Sequence, residues 1–120
     1  MEPAKSFRDL IVWHKAHELV LKVYAYTKNF PREETFGLKS QMRRAAVSVA
    51  ANIAEGFAKQ TLREKIKFMN IAQGSLEETR YYFILSLDLN YGRNEELQLL
   101  ATTISKLLNS YINSMREKIS

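Results

Sequence analysis

His14 and His17, the chain's two histidines, lie three positions apart, the spacing at which two imidazoles on one helix face could share a transition metal. The rest of such a site is missing from the pattern. There is no cysteine and no third histidine to complete a ligand set. Both are therefore read as surface or core-edge side chains, with no metal or cofactor expected. Nucleophilic chemistry is no better supplied. Ser48 has no histidine near it in its motif, no cysteine thiolate exists, and no glycine-rich loop follows a strand to cradle a phosphate. Glu55 and Glu78 could form a carboxylate pair between helices. The competing reading has Glu55 accept hydrogen bonds from Arg44, Asn52 or a neighbouring subunit's backbone. The chain is read as a non-enzyme.

Phosphate binding has more material behind it. The net charge is +5, and the segment from Lys39 to Lys67 holds seven basic residues against Glu55 and Glu64, which accounts for the whole excess. Arg43, Arg44, Lys59, Arg63, Lys65 and Lys67 are the candidate contacts to an RNA or DNA backbone. No RNA-binding motif interleaves aromatic residues with this cluster, so base-specific reading is not expected. The alternative is a solvated charged surface with intramolecular pairs.

These residues must sit on helices. Four glycines, two prolines and no sustained period-two alternation leave nothing that asks for a sheet. Helices are expected at about 8–28, 38–58, 62–90 and 94–117. Ser6, with Asp9 at the capping-box position, opens the first, and Asn29, Phe30 and Pro31 break it. Thr61 and Glu64 form a second capping box, Gly92 is expected to close the third helix, and Asn94 caps the fourth. Short connections make an antiparallel up-down bundle the economical all-α fold, with residues 1–120 as one domain. No apolar run approaches the ~20 residues needed to cross a bilayer, and MEPAKSFRDL lacks an apolar signal core, so a cytoplasmic location away from membranes is expected.

The second helix has too little polar surface for a lone domain. Gln41, Arg44, Ser48, Asn52, Glu55 and Lys59 share an arc of roughly 80°, and nearly everything else from Met42 to Ala58 is apolar. The third helix carries a main stripe of Leu62, Ile66, Met69, Ala72, Leu76, Phe83 and Leu87, and a second line through Phe68, Ile71, Tyr82, Leu85 and Leu89. Two apolar faces imply two packing partners, hence self-association. Ser48, Ala51, Asn52, Glu55, Phe68, Ile71 and Tyr82 are the candidate oligomer interface. Ser48, Asn52 and Arg44 could equally line a central opening, because polar groups there must meet water or matched partners. Gly74, costly inside a helix, is expected where helices approach closely. Arg80 lies near the apolar stripe and needs water or a paired acid, with Glu55 a candidate.

Four segments carry a resemblance: F-x-D-L-x-V-W (Phe7 to Trp13), F-P-R-E-E (Phe30 to Glu34), Gly37 to Gly56 with its N-I-A-E-G end, and I-A-Q-G-S-L-E-E (Ile71 to Glu78). Together they resemble the 23S rRNA-intervening-sequence proteins over roughly Phe7 to Gly92. The resemblance implies an up-down four-helix bundle assembled into a ring, typically a homopentamer, with no enzymatic activity. Such reading frames occur inside insertions in the large-subunit ribosomal RNA gene of some bacteria. A more distant relative, the accessory protein of diversity-generating retroelements, works with a reverse transcriptase and binds nucleic acid. The function this implies is binding of RNA or DNA, or of a nucleic-acid-handling protein partner, through a basic ring surface. A protein-only scaffold is the alternative. The chain departs from the family's pattern at Ala50, where proline is frequent, and at Ala58 and Lys59, where a glycine-basic pair is frequent.

Overall fold

A computed structural model describes residues 2–119. Four α-helices follow one another: α1 (Ile11–Thr27), α2 (Leu38–Phe57), α3 (Leu62–Asp88) and α4 (Glu95–Ile119), with 3-10 turns at Phe7–Asp9 and Arg32–Glu34. There is no strand among the described residues. The Ser6–Asp9 capping box forms, but it caps the first 3-10 turn rather than α1. Leu10 is extended at φ −87°, ψ 126°, so α1 starts at Ile11, later than the expected start near residue 8.

Each helix contacts two others: α1 packs on α2 and α4, and α3 on α2 and α4, giving a particle of 47 × 23 × 23 Å. Polar side chains pin the connections. Glu34 accepts from the Leu38 backbone N–H (3.0 Å) through Oε1 and from the Tyr91 hydroxyl (2.8 Å) through Oε2, so one carboxylate ties the 3-10 turn to the start of α2 and to the α3–α4 connection. Thr61 accepts from the Glu64 N–H (3.1 Å) as the cap of α3.

Asn90, rather than Gly92, ends α3. It adopts φ 64°, while Tyr91 N–H reaches the Ser86 carbonyl (2.9 Å) and Asn90 N–H the Leu87 carbonyl (3.0 Å), the paired bonds of a left-handed helix cap. Gly92 instead presents its carbonyl to the Tyr26 hydroxyl (2.9 Å). Asn94 is 2% exposed and donates to the Tyr26 hydroxyl (3.0 Å) and the Phe83 carbonyl (2.8 Å), while its Oδ1 accepts from Gln98 (2.6 Å). That network joins α1, α3 and α4.

The core stripe of α3 is Met69, Ala72, Leu76, Thr79, Phe83 and Ser86. It alternates steps of three and four residues and passes through two hydroxyls where the expected stripe drifted to Leu87, which is 39% exposed. Thr79 donates to the Ser75 carbonyl (2.8 Å) and Ser86 to the Phe83 carbonyl (3.1 Å), so both polar groups are satisfied within the helix. At Gly56, α2 and α3 approach closely. A Cβ there would stand 2.9 Å from both Phe68 Cβ and Met69 Cε. Gly74 is exposed and a Cβ there would meet nothing within 4 Å, so the expected close approach at this glycine does not occur within the chain.

Candidate functional site

The candidate basic residues form two groups, separated along the chain by residues 45–58, which hold no Lys or Arg, and separated in space by the length of α2. Arg43 and Arg44 lie near the start of α2, and Lys59, Arg63, Lys65 and Lys67 lie beyond its end or on the first turns of α3. Arg44 is separated from Phe57, the last residue of α2, by roughly 20 Å of helix rise. Half of the six are already engaged. Arg43 donates through Nε to Thr27 Oγ1 (2.8 Å) and through Nη2 to the Tyr24 carbonyl (3.1 Å), with its guanidinium 4.3 Å from the Tyr24 ring centroid. It thereby satisfies the negative end of α1. Lys65 donates to the Phe57 carbonyl at the end of α2 and lies over the Phe57 ring. Lys59 stands 4.8 Å from the Phe68 ring centroid. Arg44, Arg63 and Lys67 are exposed and have no carboxylate partner among the described residues.

The start of α2 holds a feature that chain order concealed. Tyr24, Thr35, Lys39, Ser40, Arg43, Arg44 and Val47 line an open concavity of about 510 Å³. Phe36, next in the chain to Thr35, is 95% exposed. Aromatic residues thus accompany cations here, although no motif interleaves them.

The candidate interface residues lie on the α2–α3 side. Ser48 Oγ and Ser75 Oγ are 2.7 Å apart, and Asn52 donates to the Ser48 carbonyl (2.8 Å) and hydroxyl (3.0 Å). Ala51, Glu55 and Ile71 are exposed, and Phe68 and Tyr82 half-buried. Tyr82 donates to Glu78 (2.8 Å); desolvation first, and then that carboxylate, raise its phenol above the ordinary value. Two of the candidate partnerships of Glu55 do not form, although Arg80 does have a paired acid. Asn52 bonds to Ser48 rather than to Glu55, and Arg80 pairs with Glu77 (3.5 Å), one turn before it on α3. The helical spacing makes Glu77 the nearer acid, and Glu55 faces solvent.

His14 contacts the Arg8 carbonyl (2.5 Å) and His17 stacks on Trp13 at 5.1 Å. No group of three or more His, Asp or Glu that could hold a metal occurs among the described residues. Among the described residues, no helix is long and apolar enough to cross a membrane.

The class so defined is a small all-α protein of four packed helices whose candidate sites are surface patches. Within that class, the chain belongs to the 23S rRNA-intervening sequence protein family, whose sequence model matches residues 8–112. It is similar to a crystal structure of a protein of unknown function from the S23 ribosomal protein family of Bacteroides thetaiotaomicron. The two are 29% identical, the match covers 86% of this chain and 96% of that one, and the TM-score is 0.78. No curated protein matches the chain.

Proposed function

We propose that this protein is a non-catalytic, cytoplasmic, antiparallel up-down bundle that assembles into a ring, and that its basic surface binds the backbone of RNA or DNA. The observation that carries the binding role is the unneutralised charge of Arg44, Arg63 and Lys67. The ion pairs Lys22–Glu96, Arg80–Glu77 and Arg93–Glu95 all lie outside the basic segment. A ring would repeat these cations and raise weak backbone affinity through multivalency. The up-down order is supported by contacts between the end of α1 and the start of α4, such as Lys22–Glu96 (2.8 Å), and between the end of α3 and the start of α4, such as Asn94–Phe83. The family's ring, typically a pentamer, is supported by the exposure of Val47 and Ala51 on α2 and of Ile71 on α3.

Fluorescence anisotropy with labelled RNA and DNA tests the binding role. Affinity at low salt should fall steeply as salt rises, and Arg44→Glu, Arg63→Glu and Lys67→Glu combined should abolish it. Absence of binding at low salt, or indifference to the three substitutions, would leave the exposed apolar faces as the better guide. Those faces favour the second reading, a protein-only scaffold.

A further inference from the structure

The concavity at the start of α2 is built for more than diffuse attraction. Lys39, Arg43 and Arg44 bring three cations to one concave wall, Thr35 and Ser40 add hydroxyls, and no carboxylate lines it. Arg43 is held rigid by Thr27, the Tyr24 carbonyl and the Tyr24 ring, yet those bonds use two of its five N–H donors. Glu34, in the preceding turn, accepts from the Leu38 N–H at the start of α2 and from the Tyr91 hydroxyl and does not line the concavity. A preorganised guanidinium beside two further cations and two hydroxyls suits a phosphate oxygen set.

Phe36 sharpens the choice of ligand. A phenylalanine ring 95% exposed, next in the chain to Thr35 of the wall, offers a π-face to a nucleobase while the cations hold the flanking backbone. In a duplex the bases are stacked on one another and no free face meets the ring. We infer that this concavity binds the phosphodiester of single-stranded nucleic acid, with one base stacked on Phe36. The inference rests on the nucleic-acid reading above and assigns it to one end of the bundle. A second copy of the chain suits the wall less well, since the copy carries the same net +5.

The test uses the full chain and two fluorescein-labelled probes of roughly 12 nucleotides, oligothymidylate and an abasic strand of equal length, with light scattering run in parallel. Arg44→Glu should weaken oligothymidylate binding about tenfold or more at low salt. Phe36→Ala should weaken it about fivefold and leave the abasic strand unaffected. Arg63→Glu with Lys67→Glu, at the other end, should have the smaller effect. If instead that pair abolishes binding while Arg44→Glu and Phe36→Ala change nothing, the nucleic-acid reading stands and this site is wrong. If the wild type binds neither probe, both fall together. If Phe36→Ala lowers the assembled mass without changing affinity, the ring belongs to a contact between copies and the inference is overturned.

Discussion

At the scale of single residues, two glycines inside helices have opposite surroundings. A Cβ added at Gly56 would stand 2.9 Å from Phe68 Cβ, a rigid atom, and from Met69 Cε, a flexible one, so an added methyl forces α2 from α3 or shifts both side chains. Gly56→Ala should destabilise the chain by about 1–2 kcal/mol, the overpacking cost of ~1–3 kcal/mol being partly offset by better helix propensity. Gly74→Ala has no such clash and should stabilise the fold by about 0.5–1 kcal/mol. Urea unfolding of both variants checks the pair, and equal signs would contradict the geometry. Tyr91 carries a pH dependence. Its hydroxyl donates to Glu34, and that hydrogen bond, then desolvation, raise the phenol above its ordinary 10.0. A folded value above the unfolded one favours the neutral phenol in the native state. Its contribution is therefore complete below about pH 10 and lost as pH rises through the raised folded value. Tyr82 and Tyr111 shift the same way, both chiefly through desolvation. Melting temperature should thus fall above pH 10, less steeply in Tyr91→Phe than in the wild type.

At the scale of elements, the end of α3 gives a sharp prediction. Asn90 holds φ 64° to close the helix, a conformation that glycine adopts without the Cβ penalty and alanine does not. Asn90→Ala should cost about 1 kcal/mol, while Asn90→Gly should be neutral or mildly stabilising; thermal melts of the two variants decide. This is also where sequence reading reached its limit. The four helices were legible because apolar spacing, the Thr61 cap and the Pro31 break act locally. The end of α3 near residue 90 was legible as well, but the left-handed turn at Asn90 was not, because Gly92 two residues later is the stronger residue-type signal and serves a different purpose, its carbonyl holding Tyr26. The α3 core stripe was misjudged for a related reason. Thr79 and Ser86 look like surface residues until their hydroxyls are seen bonded to carbonyls one turn back. Of the candidate site, the charge excess, its residues and their places on α2, the following turn and the start of α3 were legible, but the engagement of Arg43, Lys59 and Lys65 by neighbouring groups was not. Nor was the meeting of Tyr24 from α1 with Lys39, Arg43 and Arg44 from α2, a juxtaposition that depends on tertiary packing.

At the scale of the molecule, the open question is what covers α2 and α3. Ile53 and Ala51 are two positions apart on α2, yet they report on different things. Ile53 is 0% exposed within the single chain, so Ile53→Arg buries a charge in the monomer core and should prevent folding whatever the oligomeric state. Ala51 is exposed in the single chain, beside the Ser48–Asn52 hydrogen bonds, and Val47, one turn before it, is 41% exposed. A glutamate at position 51 therefore meets water in an isolated chain and desolvation in an assembly. Ala51→Glu should keep the wild-type circular dichroism while its light-scattering mass drops toward that of one chain. Buried without a partner, that carboxylate would disfavour association by several kcal/mol at each interface, enough to dissociate a complex of ordinary affinity. A wild-type mass equal to one chain would remove the ring outright. A variant that stays assembled would move the interface off α2 and leave the exposed line of α3, Ile71 and Ile84, as the face to substitute next.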